Sequence, residues 1–186
     1  MKIPYAPNPP QTSNDEEKAI LQRVLDRRGE AGLLPLDLAL LHSFPVADGW
    51  NTFLGAIRTR TSLPVDIREI AICRVATLNE AWFEWKHHAP FLAEVGFTEG
   101  MMEMIKDAKT PTDAELGALF SRKQAAVFRY TEAMTRTVKV PDAIFAEMKG
   151  LFSEKEIVEI TATAAAYNCA EEAPWLRLIG WRRVDQ

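Results

Sequence analysis

Apolar residues recur along most of this chain at the three- and four-residue spacing that lines one face of a helix. Ile20, Leu21, Val24 and Leu25 form the first such stripe. Ser13 with Glu16 reads as a capping box ahead of it, and Gly29 as its terminator. A short buried helix is expected within Leu33 to Phe44, a stretch interrupted by Pro35 and Pro45. Another follows from Ala47 to Arg60, with Trp50, Phe53, Leu54 and Ile57 on one face. Ser62 can cap the next helix, whose opening turn holds Pro64 and whose apolar positions Ile67, Ile70, Ala71, Val75 and Leu78 carry the period to about Asn79. From Glu80 to Val95 a further helical pattern ends at Gly96, with Pro90 inside it predicting a bend. Thr98, Thr112 and Ser153 are candidate N-caps. Glu115 and Glu156 complete boxes with the last two, and Ser121 with Gln124 repeats the device. No segment shows strict alternation or Asn-Gly turns, so the predicted fold class is all-α. Phe97-Thr98-Glu99 and Phe152-Ser153-Glu154 are compatible either with an old duplication or with two similar helix starts.

Composition narrows this picture. A chain of 186 residues with 47% hydrophobic content can bury a sizeable core and suits one domain. Pro4, Pro7, Pro9 and Pro10 make residues 1–13 an extended arm, leaving residues 14–186 as a single helical domain. A net charge of −4 offers no basic surplus to neutralise phosphates, which argues against a nucleic-acid partner. The opening MKIPYAPNPPQTSNDEE has no apolar stretch of signal-peptide length, and nowhere do about 18 apolar residues run together, so a cytoplasmic protein without a membrane partner is expected. Cys73 and Cys169 are far apart, each in a helical pattern, and imply no disulfide framework.

Candidate chemistry concentrates in Leu63 to Gly96, LPVDIREIAICRVATLNEAWFEWKHHAPFLAEVG. Glu84 and His88 are four residues apart, which overshoots one helical turn by only about 40° and lets the side chains meet. A carboxylate beside an imidazole favours the charged imidazole while burial opposes it, a combination suited to proton transfer. The same spacing also describes an ordinary surface pair. His87 points about 100° away from His88, so the two do not readily share an ion, and no metal site is expected.

The phrase Leu-Pro-x-x-x-Arg-Glu-Ile-Ala-Ile at Leu63 to Ile72, then Phe83-Glu84-Trp85-x-x-His88, then Ala93-Glu94-Val95-Gly96, is similar to the signature of the carboxymuconolactone decarboxylase and alkylhydroperoxidase D-like superfamily. The resemblance spans roughly residues 36–168 and implies a helical bundle of the alkylhydroperoxidase D-like type. In the peroxidase branch a glutamate is followed by a Cys-x-x-Cys pair and a histidine. Counting from Glu69, the cysteine places fall on Ala81 and Glu84 and the histidine on His88. Without a thiolate and its resolving partner, thiol-dependent peroxide reduction is not expected. The Glu-x-x-x-His form resembles the decarboxylase branch instead. That resemblance implies a lyase needing no cofactor, acting on a small carboxylated lactone or related unsaturated acid. Glu84 and His88 would be the acid/base pair, with Glu69 as a polar partner from the preceding helix. Isomerisation, dehydration or cyclisation of another small metabolite, or a non-catalytic assembly role, are the alternatives.

Trp50 and Trp82 are candidates to line a pocket for a flat substrate, Arg74 to bind its carboxylate, and His42 to face the same pocket. Each also has a plain structural reading as core aromatic, ion-pair partner or helix-end histidine. Phe83 replaces a tyrosine common in relatives. The segment after Asn168, CAEEAPWLRLIGWRRVDQ, departs from the usual apolar helix, so the end of the site is expected to be remodelled. The apolar stretches Gln124 to Met134 and Ile157 to Tyr167, together with the resemblance, imply a homo-oligomer: a dimer, a trimer or a trimer-based hexamer. Light scattering at micromolar concentration is therefore expected to give a mass above that of one chain, and a monomer would refute the assembly.

Overall fold

The computed structural model describes residues 3–171, and every regular element among them is helical, with no strand. The remodelled C-terminal end anticipated above lies largely outside the described residues. Contacts between elements group the chain into two compact units, one up to Thr61 and one from Ser62 onward.

In the first unit α1 spans Asp15–Arg28, a 3₁₀ turn follows at Gly29–Ala31, and α2 and α3 span Pro35–Leu40 and Phe44–Thr59. The cap of α1 lies one residue later than the pattern predicts. Asn14 accepts the Glu17 N–H at 2.9 Å, and the Ser13 N–H donates to the Glu17 carboxylate. Asn14–Glu17 has the same three-residue spacing as Ser13–Glu16, and asparagine is an equally good capping acceptor. Gly29 ends the helix at φ 58, as expected of a terminating glycine. Pro35 and Pro45 open α2 and α3, where a missing N–H costs nothing. Ile20 packs with Leu40, Leu41, Phe44 and Ala47. Ala6 of the proline-rich arm joins this cluster and donates its N–H to the Leu38 carbonyl at 3.1 Å.

The second unit contains α4 (Val65–Leu78), α5 (Trp82–Glu94), α6 (Glu99–Lys106), α7 (Asp113–Leu119), α8 (Arg122–Thr137), α9 (Asp142–Leu151) and α10 (Glu154–Glu171). α4 is its axis: every residue from Glu69 to Thr77 is buried, and α5, α6, α8 and α10 surround it. Ile70, Ile72 and Val75 are each fully enclosed, and burying side chains of this size contributes roughly 1.5–3 kcal/mol apiece. The capping boxes Thr112/Glu115, Ser121/Gln124 and Ser153/Glu156 all form, and Thr98 caps α6. Ser62 does not cap α4, because its N–H and hydroxyl both donate to Glu159 on α10 and Pro64 takes the N-cap place. α9, which the hydrophobic pattern does not single out, starts after Pro141. No helix among the described residues is long and apolar enough to cross a membrane.

α8 ends on Val138 at φ 61, a left-handed conformation that a β-branched residue adopts at a cost of about 1–2 kcal/mol. The side chain is 86% exposed and packs on little that would offset this. Val138→Gly is expected to raise stability by about 1 kcal/mol, read as a higher denaturant midpoint at unchanged slope. A lower midpoint would refute the strain.

Candidate functional site

Glu69 sits in the second turn of α4 with its side chain 2% exposed. An ionised carboxylate so deep needs partners for both oxygens. Oε1 accepts from Arg68 Nε at 2.9 Å, and Oε2 lies 2.7 Å from Nδ1 of His88 on α5. On the far side of the imidazole, Nε2 is 3.0 Å from the Tyr167 hydroxyl of α10, and the two rings meet edge to face at 88°. His88 and Tyr167 are each 2% exposed. Three helices therefore supply one linear chain of polar groups, Arg68–Glu69–His88–Tyr167.

The chemistry of the partners orients it. A carboxylate held by a guanidinium is an acceptor, so Nδ1–H of His88 donates to Glu69. Neutral His88 then offers the Nε2 lone pair to the Tyr167 O–H, and protonated His88 reverses that bond. A hydroxyl, an imidazole and an orienting carboxylate in series are the elements by which an enzyme moves a proton.

This grouping changes several expectations. His88 and Glu69 come together, but His88 bonds across to Glu69 and Tyr167 rather than along its own helix. Among the described residues the half-buried Glu84 carboxylate has no hydrogen-bond or ion-pair partner. The reason is tertiary: two better-enclosed groups, the Glu69 carboxylate and the Tyr167 hydroxyl, occupy both imidazole nitrogens. Ala81 and Glu84 stand at the start of α5 without a thiol. Cys73 is buried in α4 and Cys169 is exposed on α10, and the two are not joined in a disulfide.

Arg74 is not a free carboxylate binder. It is fully buried, donates to the carbonyls of Ile105, Asp107 and Lys109, pairs with Glu132 at 3.2 Å and lies over the Phe128 ring at 4.4 Å. Burial pulls its guanidinium below the usual arginine value, with Glu132 opposing the shift. Its donors hold the segment after α6 against α4. His42, in the first unit, donates Nε2–H to the Pro4 carbonyl at 2.7 Å and so fastens the N-terminal arm. Trp50 packs against the apolar cluster of that unit. Trp82 stands 40% exposed at the first position of α5.

Two residues of the chain escape a reading of the sequence. Arg68 stands in the quoted Arg-Glu-Ile-Ala-Ile phrase, but its role is hidden because neighbours on a helix normally diverge by about 100°, and only the reach of its side chain brings it back to Glu69. Tyr167 is the one aromatic of α10, a signal in itself, but nothing in the linear pattern aims it at α5. Two clefts of the second unit, about 460 and 320 Å³, are lined by other residues. The larger is bounded by Phe120, Arg122, Arg129 and Ile144, and the smaller by Glu103, Asp107 and Lys109.

No family model and no curated protein matches this chain. Among solved structures it is similar to an uncharacterized peroxidase-related protein from Silicibacter sp. TM1040. The TM-score is 0.62 at 14% identity, covering 91% of this chain and 87% of the other. That likeness is one of fold, an all-helical architecture.

Replacing Arg74 by Met is expected to remove about 3–5 kcal/mol of stability, because it strips three carbonyls and a buried carboxylate of a donor. Denaturant unfolding measures this. A variant of native stability would return Arg74 to the pool of groups available to a substrate.

Proposed function

We infer that this protein is an acid/base enzyme of small-molecule metabolism whose own residues carry the proton, most specifically a lyase that decarboxylates a small carboxylated lactone or related unsaturated acid. The observation that carries the reading is the buried Glu69–His88 bond of 2.7 Å, made by two residues whose spacing matches the glutamate and histidine of the resembled family. A charged or chargeable pair at that depth costs stability unless neighbours hold it, so its retention favours a chemical role over an incidental one. The peroxidase-related description belongs to the similar solved protein. The thiols that peroxide chemistry requires are replaced here by Ala81 and Glu84, which supports proton transfer over thiol chemistry.

In this reading, loss of carbon dioxide leaves an electron pair on carbon, and the His88 system returns a proton to it. Glu69 holds the imidazole in one orientation and stabilises its protonated form. Glu84, one turn before His88 on the same helix and without a described partner, is the carboxylate available to orient the substrate's polar end.

The test is release of carbon dioxide from a panel of small carboxylated lactones and unsaturated acids. Wild-type protein should turn over at least one, and Glu69→Gln and His88→Gln should each lower the rate by about 100-fold or more while remaining folded. Turnover without loss of mass would point to isomerisation by the same pair, and folded variants with full activity would overturn the assignment.

A further inference from the structure

α5 turns His88, Ala89 and Leu92 inward, and its opposite side carries a feature that the polar chain and the apolar core leave unused. Phe83, His87 and Phe91, with Val95 at the helix's C-cap, follow one another at four-residue spacing and form a single ridge. The ridge faces water: Phe83, Phe91 and Val95 are 41%, 40% and 45% exposed, and His87 is exposed between them. It is also stiffened locally. His87 donates Nδ1–H to the Phe83 carbonyl at 2.7 Å, and its ring lies against the Phe83 ring with centroids 4.1 Å apart. The neighbouring ridge, one residue earlier at each step, is Trp82, Lys86, Pro90 and Glu94, all exposed. Lys86 and Glu94 have no hydrogen-bond or ion-pair partner among the described residues. Contiguous apolar side chains rimmed by charge gain free energy when another surface covers them.

We propose that this face of α5 is a two-fold interface with a second copy of the chain, in which the two α5 helices cross antiparallel, ridge into groove. The proposal is independent of the acid/base reading. Self-pairing follows from the symmetry of the ridge. With the two-fold axis midway between the levels of His87 and Phe91, Phe83 meets the partner's Val95 and His87 meets the partner's Phe91. Each contact then occurs twice, as an isologous interface requires. The same rotation brings Lys86 opposite the partner's Glu94, at a separation that two long side chains span. The patch is therefore complementary to itself in charge as well as in apolar surface. A parallel pairing would instead set like charges against each other at both positions. The interface differs from one built on the apolar stretches of α8 and α10, where Ala126, Val127, Phe128, Ile160 and Ala164 are buried in the chain's own core. It also covers Phe91, whose ring lies 6.2 Å from that of His88, so assembly shields the outer side of the imidazole. With 13 residues α5 is about 20 Å long, which sets the interface at the small end of the range for specific complexes and gives a dimer that dissociates on dilution.

Sedimentation velocity of the full-length chain over a range of concentrations tests this. Wild-type protein should pass from monomer to dimer as concentration rises. Lys86→Glu and Glu94→Lys should each weaken dimerisation by about ten-fold or more, because each replaces two attractive contacts by two repulsive ones. The double reversal should restore the dimer. An equimolar mixture of the two single variants should associate more tightly than either alone, since one brings only carboxylates to the interface and the other only ammonium groups. Both positions are exposed, and circular dichroism confirms that the compared chains are folded. A monomer up to near-millimolar concentration would overturn the proposal. So would an oligomer of any size whose affinity is unmoved by the single reversals, which would put the contact on another face, or a double reversal no tighter than the singles.

Discussion

Glu69 lies on the most enclosed helix of the second unit, where an ionised carboxylate has no water to fall back on. Left alone it would cost several kcal/mol, a large share of what a domain of this size has in hand. Much around it can be understood as meeting that demand. Arg68 reaches back to cover one oxygen, His88 enters from α5 to cover the other, and Tyr167 on α10 closes the imidazole's free side. The same bonds also link α4, α5 and α10 through polar groups.

Arg74, on the same helix, shows how the fold handles the opposite charge. Its neutralisation is structural: carbonyls at the end of α6, a carboxylate on α8 and an aromatic face absorb it. The contrast between the two sites is informative. Arg74 is held mainly by backbone carbonyls together with the Glu132 carboxylate, whereas Glu69 is bonded to Arg68 and to the His88 imidazole, whose other nitrogen meets the Tyr167 hydroxyl.

An all-helical fold leaves the reaction open, since one scaffold can carry different chemistry according to the side chains it presents. Here alanine and glutamate stand where thiols would be needed, while the glutamate on α4 and the histidine on α5 are both present and bonded.

Much of the architecture was legible in the linear pattern. Capping boxes at Thr112, Ser121 and Ser153, prolines at helix starts and the period of α4 all rest on interactions within a few residues, and local interactions are what a sequence encodes directly. The approach of Glu69 to His88 was half legible, through their resemblance to a family motif, though the neighbour expected of His88 was Glu84 on its own helix. The cap shift from Ser13 to Asn14, the use of Ser62 to bind Glu159, the full burial of Arg74 and the arrival of Tyr167 at Nε2 were not. Each is a choice between competing partners of similar intrinsic quality. Such a choice is made by which groups the packing of α4, α5, α8 and α10 brings within hydrogen-bonding distance in a place without water. The sequence by itself determined the helices and the residue types available for chemistry, because those depend on neighbours along the chain. Tertiary structure alone decided which of them became partners, because distance and desolvation exist only once the helices have met.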